Sequence, residues 1–217
     1  MSDEVHPFPD RAAAGRRLGE ALADRVDGDV VVYAIPRGGV PVACEVARAL
    51  KAPLDLALAR KIGAPRDPEV ALAAVIDGAH PRTVINEDMV RLSGATPDWL
   101  ERERTAALAE LERRRQLYLE GRRRVDPAGR IAVLVDDGLA TGATARAAIA
   151  GLRAQGARRI VLAVPVAPPA LVEAMRKEVD DLVCLVEPAP FPSVGAAYVD
   201  FRQLGDREVI DCLAGAR

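Results

Sequence analysis

The fold is decided by the stretch Ile131-Ala-Val-Leu-Val-Asp-Asp-Gly-Leu-Ala-Thr-Gly-Ala-Thr144. It opens with an apolar run, Ile131 to Val135, which has the length and composition of a strand buried on both faces of a parallel sheet. Two carboxylates, Asp136 and Asp137, stand where that strand must end. A turn of small residues then leads into an Ala-rich helical pattern, 144–155, that a glycine closes. The stretch therefore predicts a strand, a turn and a helix, the repeating unit of an α/β protein.

The turn and the acids together predict a site for a sugar phosphate. Small residues let backbone N–H groups converge on an anion, and the following helix offers its positive N-terminal end to the same charge. Thr141 and Thr144 add hydroxyl donors. Two carboxylates would repel a phosphate unless they bind something between, such as vicinal hydroxyls or a cation. The alternative is a generic strand–turn–helix corner with a solvated acidic pair.

Residues 133–144 resemble the phosphoribosyl-pyrophosphate (PRPP) signature of type I phosphoribosyltransferases. The resemblance implies that the paired acids hold the ribose 2′- and 3′-hydroxyls and that the small-residue loop holds the 5′-phosphate. The implied PRPP-binding residues are Asp136, Asp137, Gly138, Leu139, Ala140, Thr141, Gly142, Ala143 and Thr144. It also implies Mg²⁺ as the cofactor, bound through PRPP near the two acids, since Mg²⁺ favours oxygen ligands and phosphates.

The second signal is Ala34-Ile-Pro-Arg-Gly-Gly-Val-Pro41, which follows a predicted strand at 30–35. A strand that ends in Arg-Gly-Gly leaves backbone N–H groups open, because glycine allows a close approach. Taken alone, the pattern is also that of a tight turn. Taken together with the PRPP signature, it resembles the pyrophosphate loop of the family. Its Arg-Gly-Gly sequence is similar to that of xanthine–guanine phosphoribosyltransferases. The resemblance implies a backbone role for Gly38 and Gly39, and it places Arg37 at the pyrophosphate or at a neighbouring subunit.

The third signal is the segment from Arg60 to Glu69, where a glycine, two prolines and mixed charge predict a loop. Pyrophosphate is a highly charged leaving group, so catalysis needs cations that cover it and exclude water. Type I enzymes have a flexible loop near this point of the chain. Arg60 and Lys61 are therefore candidate catalytic residues together with Arg37, and Arg66 is a further donor. The alternative is a solvent-exposed basic turn.

The sequence does not give the acceptor. In 6-oxopurine enzymes an Asp occupies the position of Ala140, whereas Leu139-Ala-Thr-Gly is similar to the adenine enzymes, so neither specificity can be transferred. A Pro-rich segment at 187–204 lies where several relatives carry a hood over the base. The candidates for stacking a base in that hood are Phe191, Tyr198 and Phe201. Packing in the core is the alternative for Phe201.

A charged helical segment, about 77–129, separates predicted core strands at 70–76 and 131–135, and we interpret it as an insertion in a single domain, 1–217. Arginine triplets at 113–115 and 122–124 could indicate RNA binding, but interleaved glutamates predict a salt-bridged, solvated face. The opposite face carries apolar side chains at helical spacing. They are Leu100, Ala107, Leu108 and Leu111. This face needs a partner, which could be the protein's own core, a second subunit or a lid over the base site.

The remaining pattern alternates helices and strands, with helices near 10–26 and 40–50 and further strands at 54–59, 159–164 and 182–186. This order predicts an α/β fold with a twisted parallel sheet and helices on both faces, which the resemblance identifies as the type I phosphoribosyltransferase fold. The ligand is expected at the carboxyl ends of the strands.

Composition limits the classes of function. The 30 Lys and Arg residues nearly balance the 32 Asp and Glu residues, and a net charge of −2 favours neither a nucleic-acid binder nor a membrane-surface protein. The absence of a long apolar run and of a secretory N-terminus predicts a cytoplasmic protein. The cysteines are far apart and are interpreted as buried apolar residues in a reducing compartment. They are Cys44, Cys184 and Cys212.

The sequence thus leads to one function and two alternatives. The first is a phosphoribosyltransferase that transfers the 5-phosphoribosyl group of PRPP to a nucleobase-like acceptor and works as a homodimer. The second is a PRPP-sensing regulator without turnover, with the basic insertion on nucleic acid. The third is a phosphoribosyl reaction with another acceptor, or one run as phosphorolysis. The intact Arg-Gly-Gly loop favours the enzyme.

Overall fold

The computed structural model describes residues 7–67, 70–77, 81–119, 121–122 and 124–215. Its strands are β1 (Val30–Ala34), β2 (Leu54–Leu56), β3 (Ala59–Gly63), β4 (Ala71–Ile76), β5 (Arg82–Ile85), β6 (Ile131–Val135), β7 (Arg159–Val166) and β8 (Asp181–Val186). Its helices are α1 (Arg11–Ala23), α2 (Gly39–Leu50), α3 (Glu87–Ser93), α4 (Pro97–Leu119), α5 (Ala143–Ala154), α6 (Pro169–Arg176) and α7 (Asp206–Gly215), with a 3-10 turn at Gly195–Ala197.

A parallel sheet forms the centre of the described part of the chain, with five strands in the order β2-β1-β6-β7-β8. Side chains of β1 alternate between two cores. Val32 and Ala34 pack with α1, α2, α4 and α7, whereas Val31 and Tyr33 pack with α5 and α6. Helices therefore cover both faces, and the predicted α/β fold is confirmed. Ala34 pairs with Val135, so β1 and β6 end side by side.

Local signals in the sequence explain where several helices begin. Asp10 caps α1, and its carboxylate accepts a hydrogen bond from the Ala13 amide at 2.7 Å. Asn86 caps α3 in the same way, through the Met89 amide at 3.1 Å. Thr96 precedes α4, and its hydroxyl accepts from the Trp99 amide at 3.2 Å. The predicted caps are confirmed, because a short polar side chain satisfies an amide that has no partner inside the helix.

The second sheet differs from the sequence prediction. The strand predicted at 54–59 ends at Leu56, and a new strand, β3, pairs antiparallel with β4, which pairs antiparallel with β5. Arg60 and Lys61 thus lie in a strand, and the predicted loop is reduced to the connection after Gly63, of which residues 68–69 lie outside the described residues. Strand 70–76 was predicted for the central sheet and belongs instead to this separate three-stranded sheet. The sequence also predicts an antiparallel partner for this strand at 83–85, and the pairing of β4 with β5 confirms it.

The apolar face of α4 is covered by the protein's own core. Ala107 and Leu111 are buried in the cluster that includes α2 and α7, and Leu100 and Leu108 pack against it. The hydroxyl of Tyr118 donates a hydrogen bond to Asp206 of α7. The sequence left three possible partners for this face: the protein's own core, a second subunit or a lid over the base site. The structure shows the protein's own core. No helix in the described ranges has both the length and the apolar composition to cross a membrane.

The charged face of α4 is salt-bridged, as predicted. Glu110 accepts hydrogen bonds from Arg113 at 2.8 Å and from Arg114 at 2.7 Å, and these bonds lower the pKa of Glu110 to about 2. Glu112 pairs with Arg115. Each arginine of the 113–115 triplet therefore has a glutamate partner within its own helix. In the second triplet, Arg122 donates to the carbonyl of Leu213, Arg124 pairs with Asp77, and residue 123 lies outside the described residues.

Candidate active site

The two glycine-containing loops meet at the carboxyl ends of β1 and β6. The Ile35 amide donates to the carbonyl of Val135 at 2.9 Å, which joins the two strand ends. A methyl group on Gly38 would overlap the carboxylate of Asp137, and one on Gly39 would lie 2.7 Å from the Val135 carbonyl oxygen. Only glycine allows this approach of two backbones. The loop at 36–39 and the acid pair therefore lie in direct contact at one end of the sheet.

The two acids of the pair have different surroundings. Asp137 forms a salt bridge with Arg11, whose Nε lies 2.8 Å from Oδ2. Asp136 has the carboxylate of Asp137 beside it, and its own Oδ1 accepts a hydrogen bond from the Asp137 amide at 2.9 Å. Burial, and then the negative charge of Asp137, raise the pKa of Asp136 well above its usual range. At this strand end, Asp137 is therefore paired with a cation, whereas ionising Asp136 is energetically unfavourable.

The turn after the acids leads into α5 through a glycine N-cap that has no side chain to cap the helix. Gly142 has a φ of 73°, in the left-handed region that favours glycine, and it precedes α5 without a capping side chain. The Ala143 amide lies 3.4 Å from the Thr141 hydroxyl. Arg146 donates to the Thr141 carbonyl at 3.0 Å and pairs with Glu178 at 2.8 Å. An uncapped helix N-terminus with a guanidinium beside it suits an anion.

A cleft of about 860 Å³ opens between the antiparallel sheet and α5. Its lining includes Lys61 of β3 together with Thr141 and Arg146 of the turn. Arg60 is exposed and has the opposite orientation, because successive side chains of a strand point to opposite faces. The structure thus brings Lys61 to the turn and directs Arg60 away from it. Arg66 is exposed in the connection after β3.

The N-terminal and C-terminal segments join above the acid pair. The Phe8 amide donates to the carbonyl of Ala197 at 3.0 Å, and the Val199 amide donates to the carbonyl of Phe8 at 2.9 Å. Between them lies Tyr198, which is 2% exposed and donates its hydroxyl to the carbonyl of Asp137 at 2.6 Å. Burial, and then the charge of Asp137, raise the pKa of Tyr198, so its hydroxyl stays a donor.

This burial contradicts the assignment of Tyr198 as a base-stacking residue. Its ring packs against Phe8, with centroids 5.4 Å apart, and against Phe201 at 5.1 Å. Phe201 also has the Arg11 guanidinium 3.9 Å from its centroid, so core packing, the alternative left open for Phe201, is what the structure shows. Phe191 is half-buried in the same cluster, and base stacking by Phe191 stays a prediction.

Arg37 lies at the rim of the site. Its guanidinium is 3.7 Å from the carboxylate of Asp206 at the start of α7, and its side chain is 41% exposed. The Pro36–Arg37 peptide bond is cis. The side chain of Arg37 therefore has a long, partly exposed ion pair with Asp206. Because Arg37 belongs to the 36–39 loop, its guanidinium can also contact an anion bound by that loop.

Comparisons with known proteins show which family the chain is similar to. A sequence profile of the phosphoribosyl transferase domain matches residues 1–198. The chain belongs to the phosphoribosyltransferase family. Among curated relatives, the Mycobacterium tuberculosis protein Rv0571c, provisionally named a phosphoribosyl transferase, is 48% identical over 206 residues. That match covers 94% of this chain and 45% of the relative, so the chain spans about half the length of the curated relatives it matches.

A solved structure is similar to this chain over nearly the whole length of both chains. The protein TT1426 from Thermus thermophilus has 43% sequence identity and a TM-score of 0.86. The match covers 95% of this chain and 97% of that one. At this level of similarity the two chains share one fold.

Phosphoribosyltransferases are expected to use Mg²⁺, and the donor set of this site fits that ion. Among the described residues, no group of three or more His, Cys, Asp or Glu side chains could hold a metal ion. Asp136 and Asp137 offer carboxylate oxygens beside an anion site. Mg²⁺ commonly binds one or two carboxylates and completes its shell with phosphate oxygens and water. The residues therefore suit Mg²⁺ that arrives with a phosphorylated ligand.

Two candidate residues of this site were not found from the sequence. Arg11 and Arg146 both lie in the first turn of a helix, where a cation is disfavoured by the helix dipole. This local conflict is a signal that each arginine has an anionic partner, and the structure supplies Asp137 for Arg11 and Glu178 for Arg146.

Proposed function

We propose that this protein is a PRPP-dependent phosphoribosyltransferase. It transfers the 5-phosphoribosyl group to a nitrogenous, nucleobase-like acceptor and releases pyrophosphate. The observation that carries the proposal is the contact between the 36–39 loop and the acid pair, where Gly38 lies directly against the carboxylate of Asp137. A leaving-group site and a ribose site must adjoin in this reaction, because the bond that breaks joins the ribose to pyrophosphate.

The acid pair and the turn would bind the two ends of the ribose phosphate. Asp136 and Asp137 accept hydrogen bonds from the ribose hydroxyls, while the amides at the start of α5 bind the 5′-phosphate. Arg146 fixes the turn through the carbonyl of Thr141. Ribose hydroxyls that donate to Asp136 stabilise its charged form, so binding offsets the cost of ionising this buried acid.

The 36–39 loop would hold the leaving pyrophosphate. Backbone N–H groups of Gly38 and Gly39 and the guanidinium of Arg37 are the donors, and they stabilise charge that grows as the bond to ribose breaks. Mg²⁺, held by the carboxylates of Asp136 and Asp137 and by oxygens of PRPP, would supply further neutralisation of that charge. The protein's own contribution is orientation and electrostatic stabilisation.

Lys61 and Arg60 are expected to differ sharply in their effect on turnover. Lys61 shares the cleft with Thr141, so Lys61→Ala should lower kcat about 100-fold, the lower end of the effect of removing one charge-stabilising donor. Arg60→Ala is the matched control, since its side chain points to the other face of β3, and it should keep turnover within about 2-fold. Steady-state pyrophosphate release measures both. Equal losses in the two variants would show that the cleft is not where the chemistry occurs.

We also propose that the protein forms a homodimer. Because the apolar face of α4 is covered by its own chain, the dimer would use another surface, namely the open edge of β5 together with the exposed side chain of Leu92 on α3. β5 is an edge strand of the described sheet, and exposed apolar side chains on an edge favour pairing.

Sedimentation velocity tests the dimer. A species of twice the 23.1 kDa chain mass is expected at micromolar concentration, and Leu92→Glu should weaken it. Val199→Glu is the control, because Val199 is also an exposed apolar residue, at 70%, but lies in the C-terminal segment. A single-chain species in the wild type would contradict the dimer.

The acceptor is the most informative unknown, and pyrophosphate release identifies it. The protein is incubated with PRPP, Mg²⁺ and each of a panel of purine and pyrimidine bases. Release that depends on one base and on Mg²⁺ is the expected result. The regulator alternative gains no support from α4, where the arginines at 113–115 are paired with Glu110 and Glu112. PRPP binding without release for any base would favour that alternative.

A further inference from the structure

Arg11 lies buried where three parts of the chain meet: α1, the acid pair and the C-terminal segment. It is 9% exposed. Its Nε donates to Oδ2 of Asp137 at 2.8 Å, and its Nη1 donates to the carbonyl of Arg202 at 3.0 Å. Its guanidinium carbon is 3.9 Å from the centre of the Phe201 ring. One side chain therefore ties the acid pair to the segment that closes over it.

The position of Arg11 is unfavourable without this partner. It is the first residue of α1, at the positive end of the helix, where a cation is destabilised. Arginine is also almost never buried unless it is paired. The chain spans 126 positions between Arg11 and Asp137. The carboxylate of Asp137 offsets both costs, so the two residues depend on each other.

We propose that Arg11 is a positioning residue for ribose recognition, acting through Asp137. This inference rests on the proposed function. By taking Oδ2, Arg11 fixes the carboxylate and leaves Oδ1 as the oxygen that accepts a hydrogen bond from a ribose hydroxyl. Tyr198 holds the backbone of the same residue, through the Asp137 carbonyl at 2.6 Å. Asp137 is thus fixed at two points before a ligand arrives, which lowers the entropic cost of binding.

Arg17 provides a matched control on the same helix. Its guanidinium stacks on the Phe8 ring at 4.9 Å, and it donates to the carbonyl of Pro7 at 3.1 Å. Arg17 therefore makes the same kinds of contact as Arg11, with an aromatic ring and a backbone carbonyl, but it makes them away from the acid pair. Arg17 is exposed, so Arg17→Met removes the same kinds of contact from the helix surface without touching Asp137.

The test is a double-mutant cycle with Arg11→Met and Asp137→Asn. Dissociation constants for PRPP with Mg²⁺ are measured by calorimetry up to millimolar ligand. Arg11→Met should weaken binding about 30-fold in the wild-type background but less than about 3-fold in Asp137→Asn, because coupled residues do not act additively. Arg17→Met should bind as the wild type does. Arg11→Lys, which keeps the charge, should recover part of the loss.

Two results would overturn the proposal: wild-type affinity in Arg11→Met, or an equal loss in both backgrounds, which would make Arg11 a general packing residue. If Arg11→Met does not fold, the Arg11→Lys cycle decides by the same comparison. The unfolding free energies of the four ligand-free proteins are measured in parallel. A wild type that does not bind PRPP contradicts the proposed function. In that case, non-additive unfolding free energies of the four proteins still support an interaction between Arg11 and Asp137. Additive unfolding free energies overturn it.

Discussion

Replacing Asp136 with asparagine is expected to weaken PRPP binding about 100-fold, since hydrogen bonds to a charged acceptor contribute about 1.5–3 kcal/mol each. The same change should raise the free energy of unfolding of the ligand-free protein. Asp136 is buried next to the negative charge of Asp137, and both effects raise its pKa in the folded state. Asparagine has nearly the same shape and carries no charge, so it removes that cost.

The sign of the pH effect follows from the raised pKa. Above the pKa of an unfolded aspartate, the folded state binds more protons at Asp136 than the unfolded chain does, so the stability contributed by this group falls as pH rises toward the raised pKa. The wild type should lose stability relative to Asp136→Asn as the pH rises above about 4, the pKa of an unfolded aspartate. PRPP affinity should rise over the same interval in the wild type, because the ligand needs the ionised acid.

Urea unfolding at several pH values measures the free energy of unfolding, and calorimetric titration measures the PRPP affinity. Asp29→Asn is the control. Asp29 precedes the amino end of β1, far from the carboxyl ends of the strands, and forms an ion pair with Arg130. Its side chain is 65% exposed, so the change should leave PRPP affinity unaltered. An Asp136→Asn protein that binds PRPP normally, or that is less stable than the wild type, would contradict the assigned role.

Gly38→Ala is expected to lower kcat/KM about 100-fold, because misplacement of a reacting group by about 1 Å has an effect of that size. The new methyl group would overlap the carboxylate of Asp137, which cannot yield freely because Arg11 and Tyr198 hold it. The 36–39 loop must therefore move away from the acid pair. The distance between the pyrophosphate donors and the ribose site would increase.

Pyrophosphate release by Gly38→Ala is compared with that of Gly215→Ala. A methyl group on Gly215, near the end of α7, meets nothing within 4 Å, so this control should behave as the wild type does. Thermal unfolding of both variants separates a local displacement from a loss of fold. Wild-type turnover in a folded Gly38→Ala protein would mean that the contact between the two loops is not required.

Much of the central sheet could be predicted because its signals are local. The apolar run before Asp136 and the one before Arg37 are each followed by a turn that only small residues allow, and parallel strands bring their carboxyl ends to one edge. The two loops could therefore be placed together without knowledge of the packing. The caps at Asp10 and Asn86 are equally local, since each acts on an amide three positions along the chain.

The separation of the second sheet from the central sheet was not predicted, because a strand pattern does not specify which sheet a strand joins. Residues 71–76 are as apolar as a central strand, yet they pair antiparallel with 59–63 and 82–85. The break after Leu56 has no glycine or proline to mark it. Assignment to a sheet depends on long-range packing against α4 and α5, which a single sequence does not report.

The support of the acid pair also escaped prediction. Arg11 and Tyr198 reach Asp137 across 126 and 61 positions, and no periodicity links such residues. Tyr198 was predicted to stack on a base because tyrosine at a hood often does, whereas its buried ring and bonded hydroxyl make it a support of the strand end. Arg11 could have been noticed in the sequence, because a cation at the N-terminus of a helix is disfavoured by the helix dipole.

Calorimetric titration of the protein with PRPP in the presence of Mg²⁺ tests the central claim most directly. Saturable binding of one PRPP per chain is expected, with affinity lowered about 100-fold in Asp136→Asn and unchanged in Asp29→Asn. Absence of binding to the folded wild type, or equal binding by both variants, would contradict the assignment of this strand end as the PRPP site.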